Sequence, residues 1–425
     1  MSVSIIEELS AAEVLDSRGR PTVRATCRLR SGATASASIP SGVSTGQAES
    51  RELRDADPKR YRGLGCRKAV ANVNGAIALA VAGCGFEDQA AFDRAVMDLD
   101  GTPNKSRLGS NAVLGVSIAF ARAVALEHGV PLYRHLASLL ELEPKTLPRL
   151  TINLLSGGKH AGEQVAIQDV LIVPVSPLSI DTSLVVAYDI YQAAATLVER
   201  RYGMRLLTAD EGGLAPPAEN AEAMIQTAVD AIELAGYRPG ADVALALDFA
   251  SSHFYSGEGY HLDGGVLSAD EMVERVQDWV NRFPVMSVED ALAEEDWVHW
   301  QKLNKAIGKR VCVVGDDLLC TNPLRIRRAI DELACNTLLL KVNQIGTLTE
   351  AANACRLVRS AGWQLTASAR SGETEDDWLA DIAVGWSADQ IKVGSITQSE
   401  RLAKYNRLLA IESETAWPVF PFRTP

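Results

Sequence analysis

"VALALD" at residues 243–248 and "VMSVED" at 285–290 decide the fold. Each is a short apolar run that ends on a carboxylate, Asp248 or Glu289, and each is followed by a segment of helical length. The form recurs in "DVLIVPV" (169–175), "VCVVGDDL" (311–318), "NTLLLKVNQ" (336–344), "WQLTASARS" (363–371) and "QIKVGS" (390–395). Between two of these runs Met272, Val276, Trp279, Val280 and Phe283 recur at helical spacing, which predicts one apolar helix face laid on a sheet. Strand and helix alternating in this way predict an α/β fold, a closed eight-fold β/α barrel of TIM type over residues 141–425.

What terminates the runs points to chemistry. Asp248, Glu289, Asp316, Lys341, Arg370 and Lys392 stand at successive strand ends, 22 to 41 residues apart. In a closed barrel these positions converge on the C-terminal mouth, where such folds keep their active sites. Any one of the acids could instead cap the following helix, and Asp290 and Asp317, next to two candidate ligands, suit that role. Lys341 or Lys392 alone could be half of a structural ion pair. Three carboxylates followed by two lysines and an arginine form a constellation that capping does not account for.

Upstream, residues 1–140 read as an α+β domain that caps the barrel. In "PTVRATCRLR" Val23, Ala25, Cys27 and Leu29 alternate with polar residues, the period of a half-buried strand in a three-stranded meander, and "DSRGRP" before it is turn chemistry. Residues 60 to 140 have helical periodicity, as in "NAVLGVSIAFARAVALEHG" (111–129), which ends on a glycine. "PSGVSTG" (40–46) is a small-residue loop, either a linker or a mobile lid carrying Ser44.

The 425 residues carry a formal charge of -12 with 47% hydrophobic and 23% charged residues, which excludes a general nucleic-acid binder and leaves room for small anions at local cations. The seven cysteines form no CxxC pair, so neither a disulfide framework nor a structural zinc site is expected, and a cytoplasmic location fits. No apolar run reaches the length that spans a bilayer, and the N-terminus lacks the pattern of a secretion signal.

Three gathered carboxylates repel one another unless a cation sits among them, and an all-oxygen cage favours Mg²⁺, with Mn²⁺ as a substitute. Lysines crowded with each other and with such a cation are expected to lose charge, although the carboxylates oppose this, and a lysine near neutrality can act as a general base. "LTADEGGLAP" brings Asp210 and Glu211, and "LLSGGKHAGEQVAIQD" brings His160, Gln168 and Asp169. By pattern alone the Asp-Glu-Gly-Gly run reads as an exposed turn.

"VLDSRGRPTV", "PSGVSTG", "DLDGTPNKS", "SGGKHA", "DEGGLAP", "LALDFASSHFY", "SVEDAL", "VGDDLLCTN", "LLLKVNQIGTLTEA", "RSGETED" and "SERLAKYNRLLAIE" together resemble the enolase family, in the family's order and over nearly the whole chain. The resemblance implies that Asp248, Glu289 and Asp316 hold a first Mg²⁺ and that Lys341 removes the proton next to the substrate carboxylate. It implies that Glu211 protonates the departing C3 hydroxyl and that Lys392 helps hold the carboxylate. Arg370 and Ser371 would grip the phosphorus group, Ser44 would complete a second Mg²⁺ site, and His160 would close over it. A homodimer or higher homo-oligomer is implied as well.

The chain departs from the family pattern at three places. Ala369 stands where the family carries histidine, Asp169 where it carries glutamate, and Ser156 where asparagine is usual. Base and metal ligands are kept while the surroundings of the leaving group and phosphorus group change. The expectation is an enolpyruvate-forming enzyme acting on a bulkier phosphono analogue of 2-phosphoglycerate. The alternatives are ordinary conversion of 2-phosphoglycerate to phosphoenolpyruvate in glycolysis, and a binding protein that has lost catalysis.

Overall fold

The computed structural model describes residues 3–42, 46–203 and 207–421. Strands β1 (Ser4–Leu15), β2 (Pro21–Leu29) and β3 (Thr34–Ser38) pair antiparallel, with Val23, Ala25, Cys27 and Leu29 fully buried on one face. The sheet has four strands rather than three, because β4 (Gly85–Phe86) pairs with the outer edge of β1 in the order β3-β2-β1-β4. Two residues are too short a run to leave a periodic signal.

The helix Ser110–Glu127 lies across β2 and β3. It also corrects the sequence reading on apolar length: it is long and apolar enough to cross a membrane, but 83% of it is buried inside the protein. A helix apolar all round is what a core position requires. Gly129 follows it with φ 65° and donates its amide back to Leu126, closing the last turn.

The two halves are bolted together by a buried acid. Asp93, on the helix Gln89–Asp100, accepts from the Thr349 amide at 2.9 Å and the Thr349 hydroxyl at 2.6 Å, at the start of the helix Leu348–Ser360. Burial pushes its carboxyl up to about 6 against the pull of these bonds. A carboxyl raised on folding gives most stability below its unfolded value and loses it as pH rises through about 6. Asp93→Asn therefore gains on the parent by on the order of 1 to 2 kcal/mol between pH 5 and pH 7.5. Thermal midpoints of both proteins at the two pH values check this.

The barrel is built from β5 (Arg149–Ser156), β6 (Asp169–Pro174) and β7 (Val243–Asp248). After a small three-stranded excursion, β8 (Tyr255–Ser256), β9 (Gly259–Leu262) and β10 (Gly265–Leu267), it continues with β11 (Val285–Glu289), β12 (Cys312–Gly315), β13 (Thr337–Leu340), β14 (Gln364–Ser368) and β15 (Gln390–Gly394). It closes in the order β11-β12-β13-β14-β15-β5-β6-β7. One strand breaks the strict alternation: β6 runs antiparallel to both β5 and β7. An antiparallel neighbour needs no crossover helix, and residues 157–168, which hold only the short turn Gly158–Ala161, separate β5 from β6, while the helices Ile180–Tyr202 and Ala221–Leu234 both precede β7.

That reversal places the site. Because β6 begins at the mouth, its first residue Asp169 is in register with Ser156 at the end of β5 and with Asp248 at the end of β7. Below the mouth Leu171, Ala246, Met286, Val314 and Leu339 fill the barrel interior with apolar side chains. Thr151, Ser287, Thr366 and Gln390 stand with this apolar layer beneath the charged mouth.

Candidate active site

Charge pairing organises the mouth. Lys392, on β15, donates to Asp248 Oδ2 at 2.7 Å and to both oxygens of Glu289 at 2.8 Å, bridging the ends of β7 and β11. Lys341, just past β13, pairs with Asp316 just past β12. All five residues are buried, with none more than 9% exposed. Gln168 Nε2 donates to Asp248 Oδ2 at 3.1 Å, and Gln344 Nε2 donates to Asp316 Oδ1 at 2.8 Å.

Burial, then the charge of nearby Asp248, pushes the Glu289 carboxyl well above its ordinary range. Burial works against the charged form of Lys392, but Asp248 and Glu289 overcome it and hold the ammonium well above its usual value. Lys341 corrects the expectation of a lysine depressed toward neutrality: burial lowers it, yet Asp316 outweighs burial and its value is raised. The lysines are here the cations that the carboxylates demand.

The donor set fits Mg²⁺. Asp248, Glu289 and Asp316 offer only hard oxygens, from adjacent strands, and Glu289 is destabilised as an anion without added positive charge. Two tighter acidic groups also occur among the described residues, Asp290–Asp316–Asp317 and His160–Asp169–Glu211. In the first, Asp290 accepts the amides of Asp316 at 3.0 Å and Asp317 at 2.7 Å, so it shapes the turn that presents Asp316.

On the opposite side of the mouth, Asp169 is fully buried and held from two directions. Ser156 Oγ donates to Asp169 Oδ1 at 2.5 Å, and His160 Nδ1 lies 3.3 Å from Asp169 Oδ2. His160 Nε2 is 4.0 Å from Glu211 Oε1, whose other oxygen accepts from Asn153 Nδ2 at 3.0 Å. Burial pulls the imidazole down, but Glu211 and Asp169 overcome it and hold it at about 9. Burial raises Glu211 while His160 and Arg401 pull harder, so its carboxyl is held below the usual range. Glu211 is thus paired across a short gap with a protonated imidazole.

Arg370 and Ser371 follow β14. The guanidinium of Arg370 donates to Glu49 Oε2 at 3.1 Å and Oε1 at 3.2 Å, and to Asn343 Oδ1 at 2.9 Å. Arg401, fully buried, donates to the carbonyls of Arg370 and Ser371, each at 2.7 Å. Ala369 presents its methyl beside them.

The structure brings nearly every residue singled out in the sequence to one place. His160, Gln168, Glu211, Asp248, Lys341, Ala369, Arg370, Ser371 and Lys392 line one cavity of about 20 Å³, the space of a single water. Glu289 lies beneath Lys392, Asp316 beside Lys341, and Asp169 behind His160. Ser44 lies outside the described residues. Sequence reasoning gave no role to Glu49, Asn153, Gln344 or Arg401.

Comparison with known families agrees with this architecture. The model of the enolase N-terminal domain matches residues 6–136, and that of the enolase C-terminal TIM barrel domain matches residues 144–419. With both domains matched in order across nearly its whole length, the chain belongs to the enolase family.

Proposed function

We propose that the protein is a Mg²⁺-dependent carbon–oxygen lyase that forms an enolpyruvate from a glycerate carrying a phosphorus group larger than phosphate, of the carboxyphosphonoenolpyruvate synthase type. Lys341 takes the proton from the carbon next to the substrate carboxylate, and the electron pair of that C–H bond moves into the enediolate. Glu211, taking a proton from the His160 imidazolium whose Nε2 lies 4.0 Å from its Oε1, delivers it to the C3 hydroxyl as its C–O bond breaks, so water leaves and the carbon–carbon double bond forms. Lys392 holds the carboxylate end, and Arg370 with Ser371 holds the phosphorus end. Bound Mg²⁺ supplies positive charge to the Asp248, Glu289 and Asp316 oxygens, which stabilises the enediolate and offsets the hold of Asp316 on the Lys341 ammonium.

The observation that supports the larger substrate is the position of the two departures. Ala369 lines the cavity between the Lys341 base and the Arg370–Ser371 pair, and Asp169 is drawn back onto Ser156 at 2.5 Å. Ala369 removes side-chain volume beside the Arg370–Ser371 pair, and Asp169 removes reach beside His160 and Glu211. The cavity of about 20 Å³ favours a second reading, ordinary turnover of 2-phosphoglycerate, because the Ala369 methyl has opened no wide space in this arrangement.

Steady-state turnover with Mg²⁺ separates the two. The parent, Ala369→His and Ala369→His/Asp169→Glu are compared on 2-phosphoglycerate and on glycerate bearing a phosphonoformyl group. A lost hydrogen bond to a charged group is worth about 10- to 100-fold in rate when it acts in the transition state. The reversions therefore raise 2-phosphoglycerate turnover by that range and lower turnover of the larger substrate. A parent already fast on 2-phosphoglycerate and inert toward the larger compound makes the protein an enolase by activity.

A further inference from the structure

We infer that the Glu49 carboxylate is a resident anion on Arg370, which the phosphorus group of the substrate replaces, so that Glu49 sets which anions the site accepts. The inference rests on the assignment of Arg370 to the phosphorus end. Glu49 and Arg370 are separated by 321 positions in the chain and meet in the interior, with side chains 8% and 2% exposed. Both carboxylate oxygens face guanidinium nitrogens, at 3.1 Å and 3.2 Å. That fork is the arrangement a phosphate or phosphonate would itself use, so the two anions compete for one surface.

A merely structural pair would be needed to hold Arg370 in place, and other groups already do this. The Arg370 amide donates to Glu373 Oε1 at 3.2 Å, its carbonyl accepts from Arg401 at 2.7 Å, and its Nη1 donates to Asn343 Oδ1 at 2.9 Å. The residue stays fixed when Glu49 leaves.

The departing carboxylate has a destination. Glu49 also lines a groove of about 420 Å³ with the exposed Arg20 and Arg51, where the half-buried Arg54 is already paired with Glu52 at 2.5 Å. Gln344 Nε2, which donates to Glu49 Oε1 at 3.3 Å, keeps its shorter bond to Asp316 at 2.8 Å. Leaving frees one hydrogen of that amide and the Gly46 amide, which donates to Glu49 Oε1 at 3.2 Å, and both are long bonds to give up. A dianionic phosphorus group brings more charge to Arg370 than Glu49 does, whereas a monocarboxylate brings no more and fails to displace it. The exchange makes the pocket selective for phosphorus anions and lowers its apparent affinity by the fraction of time Glu49 is away.

Calorimetric titration of the full chain with inorganic phosphate, in the presence of Mg²⁺, tests this. Glu49→Gln, which removes the charge, binds phosphate about tenfold or more tightly than the parent. Glu49→Asp keeps the charge, shortens the reach and tightens binding to an intermediate degree, and it carries the test alone if Glu49→Gln does not fold. Arg370→Gln weakens phosphate binding in every background. Equal or weaker binding by both Glu49 variants, with Arg370→Gln still weakening it, overturns the inference and leaves the assignment of Arg370 standing. Unchanged phosphate binding by Arg370→Gln removes that assignment and the inference with it.

Discussion

Replacing Lys341 with alanine lowers turnover by about 10²- to 10⁴-fold, the range a positioned general base supplies. The size follows from geometry, since Lys341 and Lys392 are the two lysines lining the cavity and Lys392 is committed to Asp248 and Glu289 at 2.7 to 2.8 Å. Mg²⁺ binding is at least as tight in the variant as in the parent, because an ammonium no longer shares Asp316. Turnover and Mg²⁺ titration measured on the same preparation check both halves. A variant that loses turnover together with Mg²⁺ affinity would make Lys341 structural.

Glu289→Gln lowers Mg²⁺ affinity by more than about 100-fold, beyond the 10- to 100-fold that second-layer changes at metal sites typically cost. Glu289 is one of the three carboxylates at the ends of adjacent strands, and an amide gives one neutral oxygen in place of an anion. Lys392 keeps Asp248 as a partner, so the fold survives the exchange. Turnover falls with metal occupancy and recovers in part at high Mg²⁺, which kinetic titration reads directly. Turnover that ignores both the substitution and chelation would remove the metal from the account.

Much of this site is legible in the sequence because barrel strands print a simple signal, an apolar run with a charged residue at its end. The runs ending at Asp248, Glu289, Asp316 and Lys341, and those around Arg370 and Lys392, reach the mouth without any appeal to distant contacts. β5 is harder to see. Its Arg149, Thr151 and Asn153 are polar yet buried, hydrogen-bonded to the Pro174 carbonyl, Gln390 and Glu211, so the run lacks the uniform apolar character of its neighbours. The direction of β6 is silent in sequence because residues alternate faces identically whichever way a strand runs.

What remains illegible consists of partners far apart in the chain. Glu49 and Arg370 are 321 residues apart, and Arg122 bridges to Asp376 at 2.6 Å and Asp377 at 2.8 Å across 254 and 255. Single-sequence spacing carries no trace of such pairs. The charge state of Lys341 is hidden for the same reason: strand-end placement brings Lys341 near the mouth, but only the fold shows that its partner is Asp316.

Everything proposed for this site turns on Lys341 removing a proton from the carbon next to a carboxylate. The most direct test follows that proton by nuclear magnetic resonance in deuterium oxide with Mg²⁺ and each of the two glycerate substrates, in the parent and in Lys341→Ala. The account predicts that the parent exchanges the hydrogen on that carbon for deuterium or releases the enolpyruvate product, and that Lys341→Ala does neither at a measurable rate. Exchange that persists in Lys341→Ala at the parent's rate would contradict it.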